Sequence, residues 1–276
     1  MGLRQIKVKL CSVWGTDRDA ANAAWASTYD MEKLVEKTDE EVRRIASNIV
    51  VLGHDTPKER VWMDWFVTAP LFTERQFDKY RLTQQFQDIQ VECQVGQFGR
   101  LGITQNELSG RYRTIPDRPY LLPQDVSEIL DRTGRHVLKL SPEDDSIDSA
   151  ADWKEELEHQ HNTYQQILGA MRDAEKSGVI TNAEYKRARE VCRGVLGTAF
   201  LTDMRLVMNL NAFEHVINQR IDVHAQVESQ VFAYLLLQEV RKNEVAKTIV
   251  ETMVVKNGWQ VHIDRIEDLL ARETGD

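Results

Sequence analysis

A chain of 276 residues is long enough to bury a sizeable core, and 42% hydrophobic with 29% charged residues is ordinary for a soluble globular protein. A net charge of -9 at pH 7 argues against a duplex nucleic-acid binder, which needs a basic face, yet leaves room for a few arginines around a small anion. No run approaches the ~18 apolar residues of a membrane span. The N-terminus alternates instead of presenting a signal peptide's apolar stretch. The three cysteines, Cys11, Cys93 and Cys192, form neither a metal-type pair nor a disulfide framework, which fits a reducing, cytoplasmic setting.

Residues 5–14 set Ile6, Val8 and Leu10 against Lys7, Lys9 and Cys11, the alternation of a half-buried strand. Thr38-Asp39-Glu40-Glu41 has the form of a capping box, opening a helix that runs through Ile45 and Ile49 to a stop at Gly53. Residues 61–69 are aromatic and β-branched and predict a second strand ended by Pro70. Pro70 then opens a short helix reaching toward Arg81, where its missing N–H does no harm. Residues 82–103 are rich in Gln and show no period, so they read as an excursion or a hairpin. Residues 113–125, with three prolines, and the acidic stretch 141–149 read as loops. Beyond Ser149 the pattern is helical, over 150–177, 181–196, 208–220, 223–241, 243–255 and 262–272, with a second capping box at Thr181-Asn182-Ala183-Glu184. Strands early and helices late define an α+β chain. No Pro/Gly/Ser linker divides it, so it reads as one domain over 1–276.

Ser109, Gly110 and Arg111 place a hydroxyl, a close-approach backbone and a guanidinium in consecutive positions, a composition suited to gripping phosphate. Taken alone, a turn followed by a solvated arginine accounts for them more simply. His159 and His161 lie on one helix among Glu155, Glu156 and Glu158. Two residues apart they point in different directions, and without a third ligand no metal site is expected.

The stretch NELSGRY at 106–112 resembles the core of the flavin-dependent thymidylate synthase signature, in which an Arg-His-Arg triplet precedes a serine in a phosphate-gripping loop. Upstream, His54, Thr56, Pro57, Glu59, Ala69, Pro70, Arg75, Gln76 and Phe77 follow that family's order. Downstream, Asn209-Leu210-Asn211, Arg220, His224-Ala225-Gln226 and Glu228 resemble its Asn…Arg…His-Ala-Gln-x-Glu run, and Arg193 stands at another arginine position. Two features depart from the pattern. The triplet falls on Lys79-Tyr80-Arg81, and an insertion within about 82–103 separates it from Ser109.

The resemblance implies a flavin-dependent thymidylate synthase-like α+β fold, with the early strands in a mixed sheet, a helical C-terminal half, and a homotetramer with active sites between subunits. It implies FAD as cofactor, NADPH and methylenetetrahydrofolate as co-substrates, and conversion of dUMP to dTMP. Arg220 takes the catalytic position at the pyrimidine edge, and Gln76, Glu107, Ser109, Gly110, Arg111 and Arg193 complete the nucleotide site with it. Thr56, Lys79, Tyr80, Arg81, Glu107, Asn209, Leu210, Asn211 and His215 fall on flavin positions, and His54 on the folate side. Read without the family, Arg220 is a surface arginine paired with Asp222 or Glu228, and Arg193 is a solvated neighbour of Arg187 and Arg189. The altered triplet and the insertion keep open C5 methylation of UMP, or methylation or hydroxymethylation of a cytidine nucleotide. A non-catalytic nucleotide- or flavin-binding relative is the remaining alternative.

Overall fold

The alternating N-terminal run forms β1 (Lys7–Trp14) and the aromatic run forms β2 (Trp62–Pro70). The structure is a computed structural model that describes residues 2–26, 37–73, 103–107 (backbone), 116–139, 141, 143 and 147–273. Two further strands, β3 (Ile103–Glu107) and β4 (Leu201–Asn209), complete a four-stranded sheet in the order β1-β2-β4-β3. Every pairing among these strands is antiparallel, where a mixed sheet was expected. Long connections return the chain between paired strands, residues 15–61 from β1 to β2 and residues 108–200 from β3 to β4, and no parallel pairing results.

Register puts Val8 beside Val67, Leu10 beside Trp65, Met63 beside Met208, Trp65 beside Leu206 and Val67 beside Met204. These residues share one face because side chains repeat every second position along a strand. That face carries the core. Helix α7 (Leu210–Arg220) turns back over it, and Phe213 stacks on Trp65 with centroids 6.1 Å apart and planes 9° from parallel. The opposite face holds Trp14, 54% exposed, and Phe66, 42% exposed.

Around the sheet pack α1 (Asp17–Trp25), α2 (Asp39–Val51), α3 (Asp55–Lys58), α8 (Val227–Lys242), α9 (Lys247–Lys256) and α10 (Trp259–Arg272). The main cluster of buried side chains draws on residues from Leu3 to Ile266. A smaller cluster of Tyr120, Leu157, Ala199, Phe200 and Leu201 joins the segment before α4 (Gln124–Leu138) to α5 (Ser149–Lys176) and the start of β4. α6 (Asn182–Cys192) follows α5. Both expected capping boxes form, with Thr38 and Thr181 accepting from the amides of Glu41 and Glu184. No helix among the described residues is long and apolar enough to cross a membrane.

Three elements depart from the sequence expectation. β4 is a central strand inside the half expected to be wholly helical. α1 and most of α4 form where no element was expected, and α4 begins within the proline-rich stretch read as a loop. β2 takes in Pro70, opposite Leu201, and residues 71–73 are helical; the remainder of the helix expected toward Arg81 lies outside the described residues.

Candidate active site

The junction of β4 and α7 gathers several of the expected cofactor residues. Asn209 ends the strand and caps the helix, its Oδ1 accepting from the Ala212 amide at 2.8 Å. Leu210 is fully buried and its amide donates to Val61 O at 2.8 Å, so its side chain serves the core. Asn211 and His215 are half-buried, and four residues apart on a helix they share a face. No acidic residue occupies the first turn of α7, so its partial positive charge is not offset there by a carboxylate of that turn.

A buried ion pair holds α3 against this helix. Lys58 pairs with Glu214 of α7 and lies 2.9 Å from Asp55, while Asn257 Nδ2 donates to Glu214 Oε1 at 3.0 Å. Lys58 is 3% exposed and Glu214 7%, so the charges depend on one another. The clamp packs α3, with exposed Thr56 and with His54 at its N-cap, against α7.

Arg220 lies at the other end of α7. It is half-buried and its Nε is enclosed by protein. The carboxylates weighed as its surface partners are engaged by other groups. Asp222 accepts from the His224 amide at 2.9 Å and lies 3.8 Å from His262 Nε2. That amide, followed by the charges of His224, His262 and Arg265, holds the Asp222 carboxyl below its ordinary range. Glu228 is buried and accepts from Tyr120 Oη at 3.1 Å and Gln226 Nε2 at 2.9 Å. Burial and the Glu228 charge push the Tyr120 phenol upward, so it stays a neutral donor. The His-Ala-Gln-x-Glu run is thus tied into the interior at its last member.

The remaining described candidates lie elsewhere. Arg193 is exposed in a short turn after α6, beside Leu196 of the smaller cluster. Glu107 ends β3 with its backbone opposite Met204. Five strand residues separate Met204 from Asn209, about 17 Å at the rise of a β-strand. One chain therefore sets the Glu107 backbone opposite the middle of β4 and the Asn209 junction at the strand's end. Gln76, Lys79, Tyr80, Arg81, Ser109, Gly110 and Arg111 lie outside the described residues, as do Arg75, Phe77 and the insertion. His161 is buried, within 3.1 Å of Gln165 Nε2 and 3.8 Å of Asp117. No group of three potential metal ligands occurs among the described residues.

Sequence reasoning missed Lys58, Glu214, Gln230 and Arg265. None belongs to a local motif, and the pairings that reveal them are long-range: Lys58 with Glu214 across 156 positions, and Arg265 with Ile221 across 44 and with Gln230 across 35. Only the folded pairing reveals them.

An antiparallel sheet backed by α7, with a half-buried arginine at the helix end and polar groups at its start, defines an α+β protein with a candidate site around one strand–helix unit. The sequence model of the thymidylate synthase complementing protein family, Thy1, matches residues 9–244, and the chain belongs to that family. It is 28% identical over 235 residues to a flavin-dependent thymidylate synthase of Thermotoga neapolitana, covering 85% of each chain. It is also 28% identical over 221 residues to a flavin-dependent thymidylate synthase of Streptomyces coelicolor, covering 78% of this chain and 75% of that one. The crystal structure of the UMP/dUMP methylase PolB from Streptomyces cacaoi, bound with 5-Br dUMP, superposes with a TM-score of 0.59. The match covers 91% of this chain and 95% of that one at 20% identity, a likeness of fold.

Proposed function

We propose that this protein is a flavin-dependent methyltransferase acting at C5 of a pyrimidine nucleotide, converting dUMP to dTMP. FAD is the cofactor, methylenetetrahydrofolate the carbon donor and NADPH the reductant. The observation that carries the reading, within a chain of this family, is the half-burial of Arg220, whose Nε is closed off by protein. A guanidinium held at the end of a core helix is positioned for recognition, whereas a solvated one is not.

The described residues suit a phosphate-bearing flavin. The start of α7 combines a helix N-terminus free of acidic side chains in its first turn with Asn211 and His215, and α3, packed against α7, adds the exposed Thr56 hydroxyl, donors of the kind such a cofactor needs. When bound, the flavin supplies the hydride and relays the one-carbon unit. The chain's own part is to hold and polarise the base. In this reading Arg220 donates to O4, and to N3 when the base is ionised there, stabilises negative charge on that edge and makes C5 electron-rich. Gln76, Glu107, Ser109, Gly110, Arg111 and Arg193 hold the nucleotide. Lys79, Tyr80 and Arg81 join Thr56, Glu107, Asn209, Leu210, Asn211 and His215 around the flavin, and His54 faces the folate.

The separation of Glu107 from the Asn209 junction supports a site completed by more than one copy of the chain. A homotetramer would join the nucleotide groups of one copy to the flavin groups of another. It would also cover the sheet face that exposes Trp14 and Phe66. We read the chain as a single catalytic domain, with the insertion at 82–103 part of it.

The test is to purify the protein, record its visible spectrum and identify the released flavin, then measure turnover of dUMP, UMP and dCMP with folate and NADPH. Bound FAD and dUMP turnover, reduced at least a hundredfold in Arg220→Ala, are expected. A protein that neither holds nor binds FAD and turns over no nucleotide refutes the reading. The Lys79-Tyr80-Arg81 triplet favours a second substrate, UMP, which faster turnover of UMP than dUMP would establish.

A further inference from the structure

We infer that Arg265, on the C-terminal helix α10, is a positioning residue for Arg220 and acts through Gln230. The inference rests on the methyltransferase reading above. α7 ends at Arg220, and residues 221–226 then turn the chain into α8. The carbonyls at a helix end and in the following turn lack intrahelical donors and must find them elsewhere. Here they come from two side chains. Arg265 Nη2 donates to Ile221 O at 3.3 Å and to Gln230 Oε1 at 2.6 Å. Gln230, only 3% exposed, donates through Nε2 to Ala225 O at 2.5 Å and Val223 O at 3.3 Å.

The order of donors makes Arg265 the controlling group. The Gln230 amide can serve the two turn carbonyls only with its nitrogen toward them, which leaves its oxygen as a buried acceptor. Arg265 supplies the donor that oxygen requires and so fixes the orientation of the amide. The same guanidinium reaches the carbonyl of the residue directly after Arg220, where a cation also complements the helix dipole. Two further contacts from α10 hold the same stretch. Trp259 Nε1 donates to Asn218 Oδ1 at 2.8 Å, and His262 lies 3.8 Å from Asp222. The family match ends at residue 244, so Gln230 lies within the matched span while Arg265, Trp259 and His262 lie beyond it.

The consequence is catalytic because a misplacement of about 1 Å in a group that orients substrate costs about a hundredfold in rate. Holoenzyme of wild type, Arg265→Met, Arg265→Lys and Glu267→Gln should be compared for kcat and dUMP KM, each per bound flavin. Glu267, also on α10, accepts from Tyr234 and serves as the control for a general loosening of the helix. The expected result is a fall of tenfold or more in kcat for Arg265→Met with unchanged FAD content. Arg265→Lys should recover part of the loss, and Glu267→Gln should match wild type. Arg265→Met turning over like wild type, or Glu267→Gln losing as much as Arg265→Met, overturns the positioning role while the methyltransferase reading stands. A wild-type holoenzyme inactive on every pyrimidine nucleotide overturns that reading and the role with it.

Discussion

The buried clamp between α3 and α7 offers a direct energetic test of how the cofactor side is built. In Lys58→Met the Glu214 carboxylate keeps only the Asn257 amide among the groups described above, inside a site where it is 7% exposed. Removing one partner of a buried pair costs about 3–5 kcal/mol, and the surviving hydrogen bond places this variant near 3 kcal/mol. In Glu214→Gln the lysine retains Asp55 at 2.9 Å, itself 49% exposed, so the loss should be smaller, about 1–2 kcal/mol. Replacing both, as Lys58→Met with Glu214→Gln, removes the charges together and should cost less than Lys58→Met alone. The assay is a double-mutant cycle by urea unfolding, run at one protein concentration and with saturating FAD, since ligand and assembly both shift the midpoint. Additive losses, or a Lys58→Met penalty under about 1 kcal/mol, would show that the pair is not the coupled clamp argued here. Flavin affinity should fall with the same ranking if the clamp places Thr56 beside α7.

Two further perturbations follow from local geometry. The carboxyls of Glu41, Glu184 and Asp222 lie below their ordinary range, each chiefly because a backbone amide, of Thr38, Thr181 and His224 respectively, donates to it. A carboxyl lowered by folding contributes stability that is complete above its unfolded pKa of about 4 and is lost as pH falls through the lowered value. The urea midpoint should therefore drop on acidification below about pH 4, and more shallowly in Glu41→Gln/Glu184→Gln; equal slopes in the two proteins would contradict the assignment. Gly15 has φ +89°, and a Cβ there would lie 2.3 Å from Arg60 O. Gly15→Ala should cost about 2–3 kcal/mol in the same assay, and a neutral result would mean that the turn before α1 adopts another path.

Legibility in the sequence depended on whether a signal stood alone. β1, β2 and the capped helix α2 were readable because period and boundary agreed. α1 was also marked, since Thr16 and Asp19 form a capping box whose amide and side-chain bonds both appear. The small, alanine-rich helix behind it gave little apolar contrast. β4 carried a strand signal in Met204, Leu206 and Met208, alternating with Asp203, Arg205 and Val207. That signal ran without a break into the helical pattern from residue 208, and no glycine or proline marked the change. The capping role of Asn209 supplies the boundary, because its side chain begins the helix at the residue where the strand ends. A mixed sheet failed for a topological reason: β4, reached through α5 and α6, enters beside β2 in the opposite direction, and residue pattern alone does not set that direction.

The site divides along the same line. Residues that meet ligand are constrained locally, because a phosphate grip or a polarising arginine requires particular side chains in a fixed order, and such order is visible in a string of letters. Residues that hold those groups still answer to geometry instead. Gln230 is an unremarkable polar position in a helix until Val223, Ala225 and Arg265 are seen to surround it. Many polar side chains of suitable length could have met those carbonyls, so the sequence carries no recurrent spelling for them. Motif residues should therefore tolerate substitution poorly and singly. Bracing residues should instead show losses that do not add: because Arg265 acts through Gln230, a Gln230→Met/Arg265→Met double variant should lose less turnover per flavin than the product of the two single losses.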